Sequence, residues 1–479
     1  MLSNILILGF RMRGFLTLLF AFLSISSGVA AASPEFDLAS VAGILPQKGL
    51  EPRIAFWKMI YTQYDRRHVV LHDRENLAII YKVITFDRLP EVSELERREQ
   101  KRKIEEEGDK IENALKDLAN NGVEAAGFSS THKGVYKALE KAGVRMDRNF
   151  LLEAATRVRD QRGIKDRFEA GIIRSGLYLP YIKESFSEKG LPEDLAYLPH
   201  VESSFDYASY SKVGAAGIWQ FMRGTARGLL TINSLMDERR DPIRATEAAA
   251  ALLSKNYRQL GSWPLAITAY NHGLNGMLRA KESMGGDYLS ILDKYESKYW
   301  GFASKNFYSE FLAALDAAKN FHKYFPLAKP AEPLEFAKLV LKSGSRAAQL
   351  RAISRISEGT LRAYNPAISV DIKRSFNRLP SGYALRLPDG AADEVIATLS
   401  PEAQRWITRA APVGSVKKAH RKAHHHRVRH KPRRYKVRRG DTLARIAQRF
   451  QVSSTELKQK NKSLKRSGRV LAGQVILLP

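Results

Sequence analysis

The stretch Leu195-Ala196-Tyr197-Leu198-Pro199-His200-Val201-Glu202-Ser203-Ser204-Phe205, followed by Gly214-Ala215-Ala216-Gly217-Ile218-Trp219-Gln220-Phe221-Met222, decides the reading of this chain. The first segment is mostly apolar and carries one acid, Glu202. Pro192 suits a helix start, and Pro199 is expected to kink or end that helix. Apolar burial disfavours the charged form of a carboxyl and raises its pKa, so an acid in such a place can donate a proton near neutral pH. By composition alone Glu202 is one of 50 acids, most of which belong on the surface. In the second segment Gly214 and Gly217 read as backbone devices for a tight turn. Trp219 and Phe221 read equally well as core or as stacking platforms.

Working outward, residues 150–328 have helical periodicity. Phe168, Ile172, Ile173 and Leu177 recur at helical spacing. Asp241-Pro242 is a helix start, with Asp as N-cap and Pro in the first turn, and the helix runs through Ala248, Ala249, Leu252 and Leu253 to Gly261. Phe307 to Phe321 gives another amphipathic helix, so an all-α domain is expected here. Asp237 and Asp241 are acids near Glu202 in sequence and read as caps and salt-bridge partners. His200 and His272 read as packing or cleft-lining residues, and no metal set is expected. Upstream, in the N-terminal region 33–149, Val69–His72 and Ala78–Val83 read as strands joined through Asp73 to Asn76. Glu94–Leu118 reads as a charged helix closed by Asn120-Asn121-Gly122. That region shows no chemistry and reads as packing or spacer. Residues 329–411 are mixed, with strands at Phe336–Leu341 and Tyr383–Leu387 and a helix at Ala347–Ile356.

The ends of the chain bear on location and partners. Arg11 and Arg13 precede the apolar run Phe15–Ile25, and Ala30-Ala31-Ala32 follows, the order of a secretory signal in residues 1–32. Met12 opens the same pattern. The 479 residues contain no cysteine, which excludes disulfides, thiolate metal sites, a cysteine nucleophile and lipid attachment at an N-terminal cysteine. A formal net charge of +28 suits a polyanionic partner, and export argues against nucleic acid. Residues 412–434 are a basic, His-rich linker without acids, read as a solvated spacer that adheres to anionic polymers in a salt-sensitive way. Tyr435 to Pro479 reads as strand, helix, helix, strand. Its first helix follows Gly440-Asp441-Thr442, Ser453 and Glu456 are spaced as a capping box, and Asn461 ends the second helix.

The blocks Glu202-Ser203, Ser211, Gly214–Met222 and Thr225-Ala226, then Asp237–Pro242, then Ala269-Tyr270-Asn271-His272-Gly273, resemble in order the signature of lytic transglycosylases with a goose-lysozyme-like domain, of the membrane-bound lytic transglycosylase D type. Arg223 departs from it, since that family commonly has Pro there. The resemblance implies Glu202 as the sole catalytic acid and base. It would protonate the oxygen between N-acetylmuramic acid and N-acetylglucosamine, then accept the proton of the muramic 6-hydroxyl as a 1,6-anhydro end forms. It also implies Ser211 and Gln220 lining the sugar cleft, Tyr270 donating to Glu202, and Asn271 supporting the cleft wall. Tyr435 to Pro479 resembles a LysM domain, which implies glycan binding at Gly440, Asp441, Thr442 and Asn461. Residues 336–388 look like a degraded copy, with Ala363-Tyr364-Asn365-Pro366 and Leu385-Arg386-Leu387-Pro388 echoing its landmarks.

The fold class expected is multidomain: an all-α lysozyme-like catalytic domain, a small α+β (βααβ) LysM module and a mixed α/β N-terminal region. The function expected is peptidoglycan cleavage by a monomer without cofactor, exported to the periplasm or cell envelope. Its partners are glycan strands and, through the linker, anionic wall polymers. A hydrolase of the same fold, a non-catalytic wall-binding scaffold and a nucleic-acid binder are the rivals.

Overall fold

The computed structural model describes Ile44 and residues 47–122, 129–342, 346–399, 401–404 and 407–409, then 434–438, 441–449, 457–458, 461, 464, 470–471 and 473–477. The signal-like segment 1–32, the linker up to residue 433, Gly440 and the capping-box residues lie outside these. The chain divides between Ser415 and Val416 into two compact units, each described by itself.

The larger unit begins with α1 (Glu51–Thr62), then β1 (His68–Asp73) and β2 (Ile80–Thr85), an antiparallel pair joined as expected through Asp73–Asn76. Helix α2 (Glu94–Asn121) is capped by the Ser93 side chain and ends at Gly122, whose φ of 74° needs a glycine. Then come α3 (Ser130–Lys141), α4 (Arg148–Thr156) and β3 (Val158–Arg162), which pairs with the other edge of β1. Both faces of β1 are covered, and the strand's two-residue period divides its side chains between two cores. Val69 and Leu71 meet Leu115, Leu118, Leu139 and Leu151, while Val70 joins the core of the helical body. So do Phe56, Trp57, Ile60 and Tyr61 of α1. The N-terminal region, for which the sequence showed no chemistry, thus supplies one wall of the body that carries Glu202.

That body comprises α5 (Lys165–Glu188), a 3-10 turn (Glu193–Tyr197), α6 (Pro199–Glu202), α7 (Arg223–Ala226), a 3-10 turn (Glu238–Arg240) and α8 (Pro242–Leu260). It continues through α9 (Trp263–His272), α10 (Leu274–Met284), α11 (Tyr288–Lys294), α12 (Phe302–Lys319) and α13 (Phe321–Tyr324). Asp241 accepts from the amides of Ile243 and Arg244 and so caps α8, which ends on left-handed Gly261. The helix expected from Pro192 does not form as one piece. Its start is a 3-10 turn, and Pro199 opens a new helix, because proline at the first helical position forfeits no intrahelical bond. Helix α12 is buried on nearly every side, with Phe307, Tyr308, Phe311 and Leu312 in the core. Helix α1 lies along it, with Arg53 Nη1 donating to Asn306 Oδ1 at 2.8 Å and Lys58 Nζ to Asp316 Oδ2 at 3.1 Å.

The unit ends with β4 (Phe336–Val340), α14 (Arg346–Ala352), α15 (Glu358–Tyr364), α16 (Ile372–Ser375), β5 (Ala384–Pro388), α17 (Asp389–Thr398), α18 (Pro401–Gln404) and β6 (Ile407–Arg409), in a sheet of order β5-β4-β6. Asn365 closes this region: Nδ2 donates to the carbonyls of Leu361 and Arg386, and Oδ1 accepts from Arg386 N, each at 2.8 Å. The region is joined to the helical body by main-chain bonds, Asp237 N to Ala367 O at 2.7 Å and Ser369 N to Leu235 O at 2.9 Å, and by a buried Arg386–Asp241 ion pair.

In the smaller unit β7 (Arg434–Lys436) pairs antiparallel with β8 (Val475–Leu477), and α19 (Leu443–Arg449) places Leu443, Ile446 and Ala447 in a core with Val437, Leu457, Leu464 and Ile476. No described helix is long and apolar enough to cross a membrane.

Candidate active site

Glu202 is the last residue of α6 and is partly exposed. The chain beyond it turns through two non-glycine residues with positive φ, Ser204 (50°) and Phe205 (58°), and Phe205 is fully buried. Arg174 of α5 holds this turn by donating Nε and Nη2 to Ser204 O at 3.1 and 2.7 Å, and Ser203 Oγ donates to Ile218 O at 2.9 Å. Such backbone costs about 1–3 kcal/mol per residue and persists only where its surroundings impose it. Around the carboxyl stand Tyr61 from α1, Tyr270 from α9 and Glu310 from α12, each bearing electrostatically on Glu202 or feeling its charge. Burial, with the charge of Glu310 second, pushes the Glu202 carboxyl up to about 8. It is therefore protonated at neutral pH, as a general acid must be.

Tied to this turn by the Ser203–Ile218 bond, and to Tyr270 by Trp219 O, is a strap from Tyr210 to Met222. Ser211 Oγ accepts from Ala215 N at 2.9 Å and Ser211 N donates to Ala215 O at 2.8 Å, so Ser211 shapes the strap. Gln220, at φ 47°, donates Nε2 to Gly217 O at 2.8 Å and makes no bond through Oε1 among the described residues. Tyr210, Val213 and Met222 expose apolar surface along the strap. Trp219 and Phe221 are core: Trp219 is fully buried and donates Nε1 to Thr246 Oγ1 at 2.9 Å. Arg223 opens α7.

Two site expectations are corrected. Tyr270 does not donate to Glu202; its hydroxyl donates to Trp219 O at 2.9 Å, tying α9 to the strap, while burial and then the Glu202 charge raise its pKa. Asn461 was expected to touch glycan. It is 8% exposed and its whole amide turns inward, with Nδ2 donating to Leu457 O and Leu477 O and Oδ1 accepting from Leu477 N. Asn271 is exposed and accepts from Ser304 Oγ at 3.1 Å, which fits a wall role. In the smaller unit Asp441 Oδ2 accepts from Tyr435 Oη at 2.6 Å and Arg438 N at 2.9 Å, and the exposed Thr442 accepts from Arg445 N at 3.2 Å.

Asp237 and Asp241 act structurally. Asp237 grips Arg239 at 2.9 and 2.6 Å, and fully buried Arg239 donates Nη1 to Gly214 O at 2.7 Å and Phe221 O at 3.0 Å, pinning both ends of the segment that carries Gln220. A Cβ at Gly217 would come within 1.7 Å of Arg239 O, so only glycine fits there. His200 is buried against Phe168, and burial, with Arg174 second, lowers it to about 3; the ring is neutral. Among the described residues no group of His, Asp and Glu is arranged to hold a metal. The sequence reading missed two residues. One is Arg239, whose partners come from elsewhere in the chain. The other is Glu310, which carried the same signal as Glu202, an acid inside an apolar helix.

Residues 180–287 match the family model of the transglycosylase SLT domain, and residues 435–479 that of the LysM domain. The chain is 28% identical over 318 residues to the membrane-bound lytic murein transglycosylase D of Escherichia coli strain K12, an alignment covering 64% of each chain, so it spans less than two thirds of that relative's length. It is 35% identical over 109 residues to a putative tributyltin chloride resistance protein of Alteromonas sp. strain M-1, covering 22% of this chain and 53% of that one. The chain thus carries a transglycosylase SLT domain and a C-terminal LysM domain.

Proposed function

We propose that the chain is a peptidoglycan lytic transglycosylase in which Glu202 acts first as acid and then as base. The observation that carries this reading is a partly exposed carboxyl, pushed up to about 8 just before a strained turn, inside a transglycosylase SLT match. Glu202 protonates the glycosidic oxygen between N-acetylmuramic acid and N-acetylglucosamine, and the bond to the anomeric carbon breaks. The carboxylate then takes the proton of the muramic 6-hydroxyl as that oxygen closes on the anomeric carbon. No water is consumed, and Glu202 ends protonated. Ser211, Gln220 and Asn271 line or support the cleft, with Gln220 Oε1 able to accept from a sugar hydroxyl. Tyr270 positions the strap.

The C-terminal domain binds glycan strands, with Gly440, Asp441 and Thr442 at its binding loop. The basic linker adds salt-sensitive adhesion to anionic wall polymers. The chain works without cofactor as an exported, envelope-associated monomer, with residues 1–32 as its signal. The test is mass analysis of purified sacculi digested by the protein and by Glu202→Gln. Anhydro ends from the native protein and none from the variant are expected. Reducing muramic ends would make the enzyme a hydrolase, and cleavage by the variant would remove Glu202 from the mechanism.

A further inference from the structure

Glu310 lies on α12, where that helix packs against α1 and α6. It is 8% exposed, and among the described residues its carboxyl makes no hydrogen bond or ion pair. A carboxyl in the middle of a largely buried helix is costly to bury, and a purely structural acid would be expected to have a partner. On the same helix Lys305 pairs with Glu75, Asp316 with Lys58 and Lys319 with Asp194, so every other charged side chain of α12 has an ion-pair partner.

We propose that Glu310 is a positioning residue of the active site, a second carboxyl that acts on the reaction through Glu202. The groups that face it are Glu202 from α6, Tyr61 from α1, and Arg159 from β3. The Arg159 guanidinium lies 4.2 Å over the Phe302 ring, at the start of α12, and its charge bears on Glu310 without forming an ion pair. Glu202 meets Tyr61, Tyr270 and Glu310. Burial pushes Glu310 up to about 8 and Arg159 draws it back, so the cation favours ionised Glu310. Two neighbouring carboxyls resist ionising together and titrate as a coupled pair. Both carboxyls are neutral near pH 7. As pH rises through about 8 the pair gives up its first proton, which Arg159 favours leaving from Glu310. The negative charge then keeps the proton on Glu202 until the glycosidic oxygen takes it. The same charge then favours its return from the 6-hydroxyl. Glu310 itself neither gains nor loses a proton over the cycle.

This inference rests on Glu202 being the acid. The experiment is the pH profile of kcat/KM for full-length native protein, Glu310→Gln and Glu310→Asp on soluble glycan strands. Glu310→Gln should move the alkaline limb down by about one pH unit, a loss of about tenfold at pH 8.5 with less than twofold change at pH 5. Glu310→Asp, which keeps the charge, should restore most of the limb. An unmoved limb, or a uniform loss at every pH, would overturn the proposal. If Glu310→Gln does not fold, infrared titration of carboxyl bands in native protein and Glu202→Gln decides instead. Coupling predicts that Glu310 ionises in a different pH range once Glu202 is removed, and an unchanged titration refutes it. Cleavage by Glu202→Gln would sink the underlying mechanism, whereas an inactive Glu202→Gln with an unmoved limb would sink only the role of Glu310.

Discussion

Asn365 and Asn461 occupy the same place in two parts of the molecule. Each follows a buried leucine by four residues, Leu361 or Leu457, and donates Nδ2 to its carbonyl. Each then clips the third residue of a closing strand by donating to its carbonyl and accepting from its amide, Arg386 of β5 or Leu477 of β8. In both, the closing strand pairs antiparallel with the opening one. The difference is the clipped residue. Arg386 reaches the cap of α8, whereas Leu477 has no charge to extend. The clip is shared, and the Arg386–Asp241 ion pair, with the main-chain bonds at Ala367 and Ser369, joins the first region to the Glu202 body, while the second belongs to a compact unit of its own.

The sharpest way to break the comparison is Arg386→Met against Leu477→Met. The first leaves Asp241 buried without its cation and should cost about 3–5 kcal/mol, seen in calorimetry as a lower melting transition of the large unit with parallel loss of cleavage. The second should stay within about 1.5 kcal/mol of native. Equal effects would mean that the ion pair does not join the first region to the body. Next, Asn365→Ala and Asn461→Ala each leave buried peptide groups unpaired, at roughly 2–3 kcal/mol. The first should lower turnover of soluble glycan, and the second should lower binding to intact walls while turnover stays within twofold.

A third contrast is pH. Glu202 and Glu310 have folded pKa values raised from 4.5 to about 8, so the stability tied to their protons is fully present below pH 4.5 and is lost as pH rises through 8. Glu202→Gln should therefore melt higher than native at pH 8.5, by at least about 1.4 kcal/mol, and close to native at pH 4, with the effect confined to the large-unit transition. The smallest effect expected is from deleting residues 413–433. Wall binding should weaken about two- to tenfold at low salt and converge with native at high salt, since screening removes an electrostatic contribution. Identical salt slopes would exclude that role for the linker.

Much of this was legible in the chain. Asp241-Pro242 and Gly261 bracket α8 because caps are local chemistry, and Asn121-Gly122 ends α2 for the same reason. Glu202 and Gln220 stood out because the blocks around them resemble, in order, a transglycosylase signature. What escaped depends on contacts between distant segments. Tyr270 turns to Trp219 rather than Glu202, Arg239 finds Gly214 and Phe221, and Glu310 meets Glu202 more than a hundred residues upstream. Trp219 was undecided because an indole suits a core or a cleft, and only the reach of Thr246 settles it.

The packing of α1 along α12 also sets an order of events during synthesis. The bonds between Arg53 and Asn306 and between Lys58 and Asp316 close loops of roughly 250 residues, among the most non-local contacts in the chain. A nascent chain that has reached residue 287 already contains Glu202, Gln220 and Tyr270 and the whole SLT match, yet lacks the helix that brings Glu310 and completes the wall with Tyr61. The chemistry therefore waits on topology. The body that carries Glu202 is incomplete until the far end of the large unit has been made.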